Sequence, residues 1–198
     1  MYCFNANIFY TEVSKEDNMI QIENVSKSYG ERQILKNLSF SLKKGDSITI
    51  MGKSGCGKTT LLRIIAGLET PDSGNVLVNG RVVTKGCRIL IPPFKRGIGF
   101  VFQNLALWPH FTVEQNASYG LKAKGFTPAE IRKKITGILE YFNISGLRKK
   151  YPSKLSIGEQ QRVALARTLV LEPSIVLLDE PVSNLDEINK NDFFNLIK

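Results

Sequence analysis

The stretch Gly52-Lys53-Ser54-Gly55-Cys56-Gly57-Lys58-Thr59 decides the fold class of this chain. It matches the pattern G-x-x-x-x-G-K-[ST], in which glycines let successive backbone N–H groups curl around a phosphate group. The run before it, residues 47–51 (SITIM), predicts a short buried strand, and residues 59–66 predict a helix that ends at Gly67. A glycine-rich loop between a strand and a helix predicts an α/β fold that binds phosphate at the helix N-terminus.

The residue types in this loop are suited to binding a nucleotide and a divalent cation. We expect Lys58 to neutralise β- and γ-phosphate oxygens and the Thr59 hydroxyl to ligate Mg²⁺. The alternative is a glycine-rich turn that contains a lysine by chance, and the flanking strand and helix patterns weigh against it. The predicted nucleotide-binding residues of this segment are Gly52, Lys53, Ser54, Gly55, Cys56, Gly57, Lys58, Thr59 and Thr60.

A second segment brings two carboxylates to the end of a predicted strand. Residues 175–178 (IVLL) form an unbroken apolar run, which is typical of a parallel strand covered on both faces. Asp179 and Glu180 follow directly, so they are expected at the sheet edge where α/β proteins bind ligands. We expect Asp179 to hold Mg²⁺ through a water molecule and Glu180 to act as general base toward the attacking water. An acidic turn after a strand is by itself a common surface feature. Together with the phosphate loop, it indicates a nucleotide-binding site.

Composition narrows the class of protein. The chain has 198 residues, of which 42% are hydrophobic and 23% charged, as expected of one globular domain. A formal net charge of +9 suits an anionic partner. The cysteines Cys3, Cys56 and Cys87 are too few and too scattered for a disulfide framework or a metal site. No apolar run approaches the roughly 20 residues of a membrane span.

A third segment, Leu155-Ser156-Ile157-Gly158-Glu159-Gln160-Gln161-Arg162, narrows the interpretation to one family. It follows the phosphate loop and Gln103, and it precedes Asp179-Glu180 and Ser183-Asn184-Leu185-Asp186. This order resembles the nucleotide-binding domain of ABC transporters over about residues 19–190. The resemblance implies an α/β phosphate-loop NTPase of ABC type, with a mostly parallel sheet core, an antiparallel β subdomain and a helical insert at about residues 104–157.

The resemblance also implies a site shared by two such domains, with ATP and Mg²⁺ between them. Ser156 and the backbone of Gly158 would contact the γ-phosphate of the ATP held by the other domain, and Asp186 would reach across as well. Gln103 would sense the γ-phosphate, ligate Mg²⁺ and take part in catalysis. Tyr29 would stack on adenine; the alternative for this residue is a tyrosine of the core or of a turn.

Residues 106–121 (ALWPHFTVEQNASYGL) resemble the importers of the family, which take up iron, polyamines, sugars and inorganic anions. The implied function is an ATP-binding and ATP-hydrolysing subunit, bound peripherally at the cytoplasmic face of the cell membrane. The implied partners are a second nucleotide-binding domain, integral membrane permease subunits and an extracytoplasmic solute-binding protein. Nucleic acid is not an expected partner, because the sequence has no readout motif and no basic stripe interleaved with aromatics. Leu107, Trp108 and Phe111 are predicted either to face the permease or to pack as a satellite core.

Two features depart from the family pattern. Ile157 stands where the family usually has glycine, so altered local geometry is expected if that position needs a positive φ. After Asp186 the sequence lacks the further strand and the switch histidine of the family. We therefore expect a fragment of a longer gene product, truncated before that histidine, with residual MgATP binding, weak hydrolysis and low solubility. Residues 1–18 have no place in the pattern and are expected to be a disordered extension.

Three alternatives to a transport subunit stay open from the residues. One is an ABC ATPase of DNA repair or translation, although residues 103–155 show no sustained heptads for the coiled coil of the repair members. Another is a degenerate ATP-binding protein with weak hydrolysis. The last is a small phosphate-loop kinase or GTPase, which would lack the segment at residues 155–162.

Overall fold

The structure, a computed structural model, describes residues 18–181, and the chain divides into two compact units between Gly97 and Ile98. The strands are β1 (Asn18–Tyr29), β2 (Arg32–Lys43), β3 (Ser73–Val78), β4 (Arg81–Lys85), β5 (Arg88–Ile89), β6 (Ile98–Val101) and β7 (Ile175–Leu178). The helices are α1 (Lys58–Ala66), α2 (Val113–Ala123), α3 (Pro128–Tyr141) and α4 (Ile157–Leu169), with short 3-10 turns at Pro93–Lys95, Ser145–Leu147 and Pro152–Lys154.

Some predictions fall outside the described residues. These are the role of Asp186 and the extension at residues 1–18 except for its last residue. Asn18 is described, and it lies in β1, where it pairs with Lys43.

The unit that ends at Gly97 is built on an antiparallel sheet with strand order β2-β1-β3-β4-β5. β1 lies between β2 and β3, and its Ile22 pairs with Phe40 of β2 on one side and with Val76 of β3 on the other. Ile20 and Ile22 of β1 and Val76 and Val78 of β3 are buried, so alternate positions of these two strands form the core face. This sheet is the antiparallel β subdomain that the sequence predicts.

The predicted helix after the phosphate loop is present as α1, and Gly67 ends it with a φ of 78°. The predicted strand at residues 47–51 is wrong. These residues belong to no strand, and Ile48 and Met51 are 48% and 85% exposed. An apolar run becomes a strand only where a neighbouring strand accepts its backbone hydrogen bonds, and none of the ladders of the five-stranded sheet includes this segment.

The unit that begins at Ile98 packs helices on a parallel strand pair. β6 and β7 pair in register from Ile98 with Ile175 to Val101 with Leu178, and this confirms the predicted parallel strand. The α/β fold class is thereby confirmed as well. The helices enclose one buried cluster, whose fully buried members include Val113, Leu121, Ile135, Leu139, Phe142 and Leu165. Among residues 18–181, no helix has the length and the apolar character that crossing a membrane requires.

Candidate functional site

The phosphate loop curls tightly because its glycines permit it. Gly55 and Gly57 have φ values of 76° and 104°, in the region that favours glycine. A Cβ on Gly57 would also lie 2.6 Å from Cγ2 of Ile34, so the close approach of β2 requires glycine there. The Cys56 N–H donates to the Lys53 carbonyl oxygen at 3.2 Å and closes a turn within the loop. The loop is therefore shaped as its motif predicts.

Lys58 lies where an anion would be bound. It is the first residue of α1, whose N-terminal N–H groups and dipole favour negative charge. The first turn of α1 holds no acidic residue that would compete for those groups. The Lys58 ammonium donates to the carbonyl oxygens of Gly52 at 3.0 Å and Lys53 at 3.4 Å, so it spans the start of the loop. This arrangement can bind a phosphate group.

Tyr29 and Thr60, two of the predicted nucleotide-binding residues, meet in the same unit. Tyr29 ends β1 with about half of its surface exposed, so it is not a core tyrosine. Its hydroxyl donates to the Glu69 carboxylate and lies 3.4 Å from Oγ1 of Thr60. Burial of the phenol, helped by the bond to Glu69, raises the pKa of Tyr29, so the hydroxyl stays protonated at neutral pH.

The two predicted carboxylates lie at the carboxyl end of β7, in the second unit. Asp179 is buried, and its N–H donates to the Val101 carbonyl oxygen at 3.0 Å, which continues the parallel pairing by one residue. Glu180 has a φ of 46°, so the chain turns sharply there. Nε2 of Gln103 donates to Oε2 of Glu180 at 3.0 Å. The structure thus brings the two predicted catalytic residues into direct contact.

The predicted metal ligands carry the oxygen atoms that Mg²⁺ prefers, a carboxylate, an amide and a hydroxyl. Gln103 uses its amide nitrogen toward Glu180, so its amide oxygen is the atom that could ligate a cation. Asp179 directly follows β7, the strand that pairs with β6, and Thr59 belongs to the other unit. Within residues 18–181 no group of three or more acidic, histidine or cysteine side chains could hold a metal alone. Within the second unit, Gln103 and Asp179 thus offer an amide oxygen and a carboxylate, which suit a divalent cation.

Ser156 is the N-cap of α4 and forms a capping box with Glu159. The Ser156 hydroxyl oxygen accepts from the Glu159 N–H at 3.2 Å, and Oε2 of Glu159 accepts from the Ser156 N–H at 2.7 Å. The bond from the Ser156 N–H, followed by a bond from the Ser156 hydroxyl, lowers the pKa of Glu159. Gly158 lies in the first turn of α4, where backbone N–H groups have no partner within the helix.

The expected distortion at Ile157 is wrong. Ile157 is the first residue of α4 and has a helical, negative φ, which suits any side chain. Its side chain is 53% exposed, so a β-branched residue meets no crowding there.

Two residues of α4 that the sequence interpretation missed hold the loops beside the carboxylates. Gln161 is buried, and its Nε2 donates to the Pro181 carbonyl oxygen at 2.9 Å, directly after Glu180. Arg167 donates to the carbonyl oxygens of Leu105 at 2.7 Å and Ala106 at 2.6 Å. Leu105 and Ala106 have φ values of 59° and 45°, so Arg167 binds a strained turn. Gln161 lies within the segment at residues 155–162 that carries the family resemblance. No motif of the sequence includes Arg167.

Comparison with known proteins places this geometry in a family. The family model described as ABC transporter matches residues 35–183. The Fe(3+) ions import ATP-binding protein FbpC of Fusobacterium nucleatum subsp. nucleatum is 47% identical over 167 residues, which are 84% of this chain and 44% of that protein. The spermidine/putrescine import ATP-binding protein PotA of Thermotoga maritima is 46% identical over the same shares of the two chains. This chain spans less than half the length of these relatives.

Two solved structures of ATP-binding cassette proteins are also similar to this chain. An ATP-binding cassette in a dimeric post-hydrolysis state, bound to ADP and Pi, is 34% identical, with a TM-score of 0.81. The match covers 90% of this chain and 81% of that one. The cbiO1 protein of Clostridium perfringens, part of an ABC transporter complex, is 30% identical over 92% of this chain and 73% of its own, with a TM-score of 0.80.

Proposed function

Because this chain belongs to the ABC transporter family, we propose that it binds MgATP and hydrolyses it as the ATP-binding subunit of an importer. The phosphate loop carries the proposal, since it places the Lys58 ammonium and the N-terminus of α1 together. Two relatives named as import ATP-binding proteins support the transport role. The importer resemblance of residues 106–121 supports it further.

Each predicted site residue has a role in this proposal. Lys58 and the loop N–H groups bind the β- and γ-phosphates, and Tyr29 stacks on the base. Asp179, through a water molecule, the Gln103 amide oxygen and the Thr59 hydroxyl would hold Mg²⁺, which would supply charge neutralisation on the phosphates. Glu180 accepts a proton from the attacking water, and the bond from Gln103 fixes its carboxylate.

The proposed partners follow from the parts of the site that face outward. Ser156 is exposed and Gly158 half-buried at the N-terminus of α4, so they are available to the γ-phosphate of a nucleotide held by a second such domain. Asp186 is proposed to act in the same way. This chain would bind a separate membrane permease at the cytoplasmic face of the membrane, and its ATP binding and hydrolysis would drive transport through that permease. An extracytoplasmic solute-binding protein would deliver the solute.

We expect Lys58→Ala to weaken MgATP binding at least about tenfold, because the phosphates lose a charge-assisted hydrogen bond. Isothermal titration of MgATP into the 198-residue chain measures this. Lys133→Ala, an exposed lysine of α3, is the matched control and should leave the affinity unchanged. Equal affinities for the wild type and Lys58→Ala would mean that the loop is not a nucleotide site.

We expect Trp108→Ala to spare MgATP binding and to uncouple ATP hydrolysis from transport. Trp108 is half-buried, with its ring 4.7 Å from that of Tyr119 and with the Arg167 guanidinium 5.1 Å from its centroid. Trp108 is proposed to contact the permease through the part of its ring that stays exposed, and the substitution removes that apolar surface. Solute uptake by proteoliposomes that contain the permease measures the effect, and Trp108→Phe is the control that keeps a ring. Loss of folding by Trp108→Ala would instead assign the residue to the core.

A further inference from the structure

A polar cluster surrounds Tyr29 beside the phosphate loop, and the roles above leave its members Lys27, Glu69 and Asp72 unassigned. The Tyr29 hydroxyl donates to the carboxylate of Glu69, which follows α1 in the chain. The side chain of Glu69 is 18% exposed, so this acceptor is largely shielded from water. The same hydroxyl lies 3.4 Å from Oγ1 of Thr60, in the first turn of α1.

Lys27 completes the cluster. Its ammonium lies 3.8 Å from Oε1 of Glu69 and 3.5 Å from Oδ1 of Asp72, while its side chain is only 14% exposed. It also lies 5.4 Å from the centre of the Tyr29 ring, within the range of a cation–π contact. Lys27 thus neutralises two carboxylates near the phosphate loop and at the same time contacts the ring of Tyr29.

The cluster ties the end of β1 to the segment between α1 and β3 through several bonds. The Ser28 N–H donates to Oδ2 of Asp72 at 2.7 Å, and the Asp72 N–H donates to the Ser26 carbonyl oxygen at 2.9 Å. The tyrosine ring is therefore held at a fixed position relative to Thr60, which follows Lys58 and Thr59. A phenol with fewer partners would rotate about its side-chain bonds and lose entropy on stacking.

We propose that Glu69 is a positioning residue that, with Lys27, holds the Tyr29 ring ready to stack on the base of the nucleotide. This inference rests on the proposed function, since it assumes a nucleotide whose phosphates lie on the phosphate loop. It assigns to the cluster a contribution to base binding alone, because Glu69 acts on the ring and donates nothing to the phosphates. The prediction is therefore a selective loss of affinity for ligands that carry a base.

The test compares MgATP with magnesium tripolyphosphate, which has the phosphates and no base, by calorimetric titration of the 198-residue chain. We expect Tyr29→Phe and Glu69→Ala to weaken MgATP binding about fivefold, the factor produced by losing one hydrogen bond of ordinary strength. Tripolyphosphate binding should stay unchanged in both variants. Glu69→Gln keeps an acceptor oxygen for the phenol and should recover most of the MgATP affinity.

Glu172→Ala is the matched control, since this carboxylate also pairs with a lysine, Lys134, at 2.5 Å in the other unit. It should change neither affinity. Equal losses for both ligands would assign Glu69 a purely structural role and overturn the inference, as would unchanged MgATP affinity in both Tyr29→Phe and Glu69→Ala. Both results leave the proposed function standing. A wild-type chain that binds no MgATP would overturn the proposed function and this inference together.

Discussion

Glu180→Gln should lower the rate of ATP hydrolysis by about 100- to 1,000-fold and leave MgATP binding intact, because an amide cannot accept the proton of the attacking water. The side chain keeps its size, and its amide oxygen can still accept the bond that Gln103 donates at 3.0 Å. The variant therefore removes the base without removing the contact. Single-turnover hydrolysis of labelled ATP measures the chemical step, and equilibrium titration measures the binding.

Two further variants test whether the loss of hydrolysis is specific to the Glu180 carboxylate. Gln103→Ala leaves the Glu180 carboxylate in place without its donor, so a smaller loss of rate is expected than for Glu180→Gln. Glu172→Gln changes an exposed carboxylate outside the site and should not alter the rate. Hydrolysis by Glu180→Gln at the wild-type rate would show that Glu180 is not the general base and that another group activates the water.

Local signals in the sequence predicted those elements whose ends and faces are set by neighbours in the chain. The sequence Thr127-Pro128-Ala129-Glu130 is a capping-box pattern, and it begins α3 with both hydrogen bonds of the box present. Ile135 and Leu139, one turn apart, are both buried as the helical period requires. The apolar run at residues 175–178 likewise predicted β7, because strands covered on both faces lose the alternation of apolar and polar residues.

Elements that depend on distant partners were not predicted so well. The run at residues 47–51 has strand-like residues and no strand neighbour in its own unit. The bounds of α2 were hidden because its buried face includes Asn116, a polar residue. The amide nitrogen of Asn116 donates to the carbonyl oxygens of Trp108 and Phe111, each at 3.1 Å, so the fold satisfies a residue that the pattern assigns to the surface.

The motifs name the site residues, and the structure adds how those residues are held. Gln103 and Glu180 lie 77 positions apart, and Tyr29 and Glu69 lie 40 positions apart. No local pattern encodes contacts over such separations, since they depend on strand order and on where each loop returns. The motifs could therefore name candidate side chains for the chemistry, and they could not indicate which distant residues contact those side chains.

Arg96 is a structurally important residue that the sequence analysis did not identify. It lies buried at the end of α1 and holds several elements of its unit together. It is 3% exposed, and its guanidinium donates to four carbonyl oxygens and one hydroxyl. Two of the carbonyls, those of Ile64 and Ile65, belong to the last turn of α1, where acceptors lack partners within the helix. Burial lowers the pKa of Arg96 to about 10, so it stays charged at neutral pH.

Arg96→Met should destabilise the chain by about 3 to 5 kcal/mol, because five hydrogen bonds from a buried, charged donor are lost at once. Methionine fills much of the volume but offers no N–H group. Arg96→Lys should cause a smaller loss, since an ammonium has three donors yet cannot reproduce the planar fork of the guanidinium. Urea unfolding followed by circular dichroism measures each change as a shift of the midpoint.

Arg63→Met is the control on the same helix, where the side chain is exposed, and it should change the stability by no more than about 0.5 kcal/mol. Gly67 gives an independent check, since a Cβ there would lie 2.4 Å from the Arg96 guanidinium carbon. Gly67→Ala should therefore displace Arg96 and lower the stability, and it should cost less when Arg96 is already methionine. Additive losses in the double variant, or an unchanged midpoint for Arg96→Met, would show that Arg96 does not hold the end of α1.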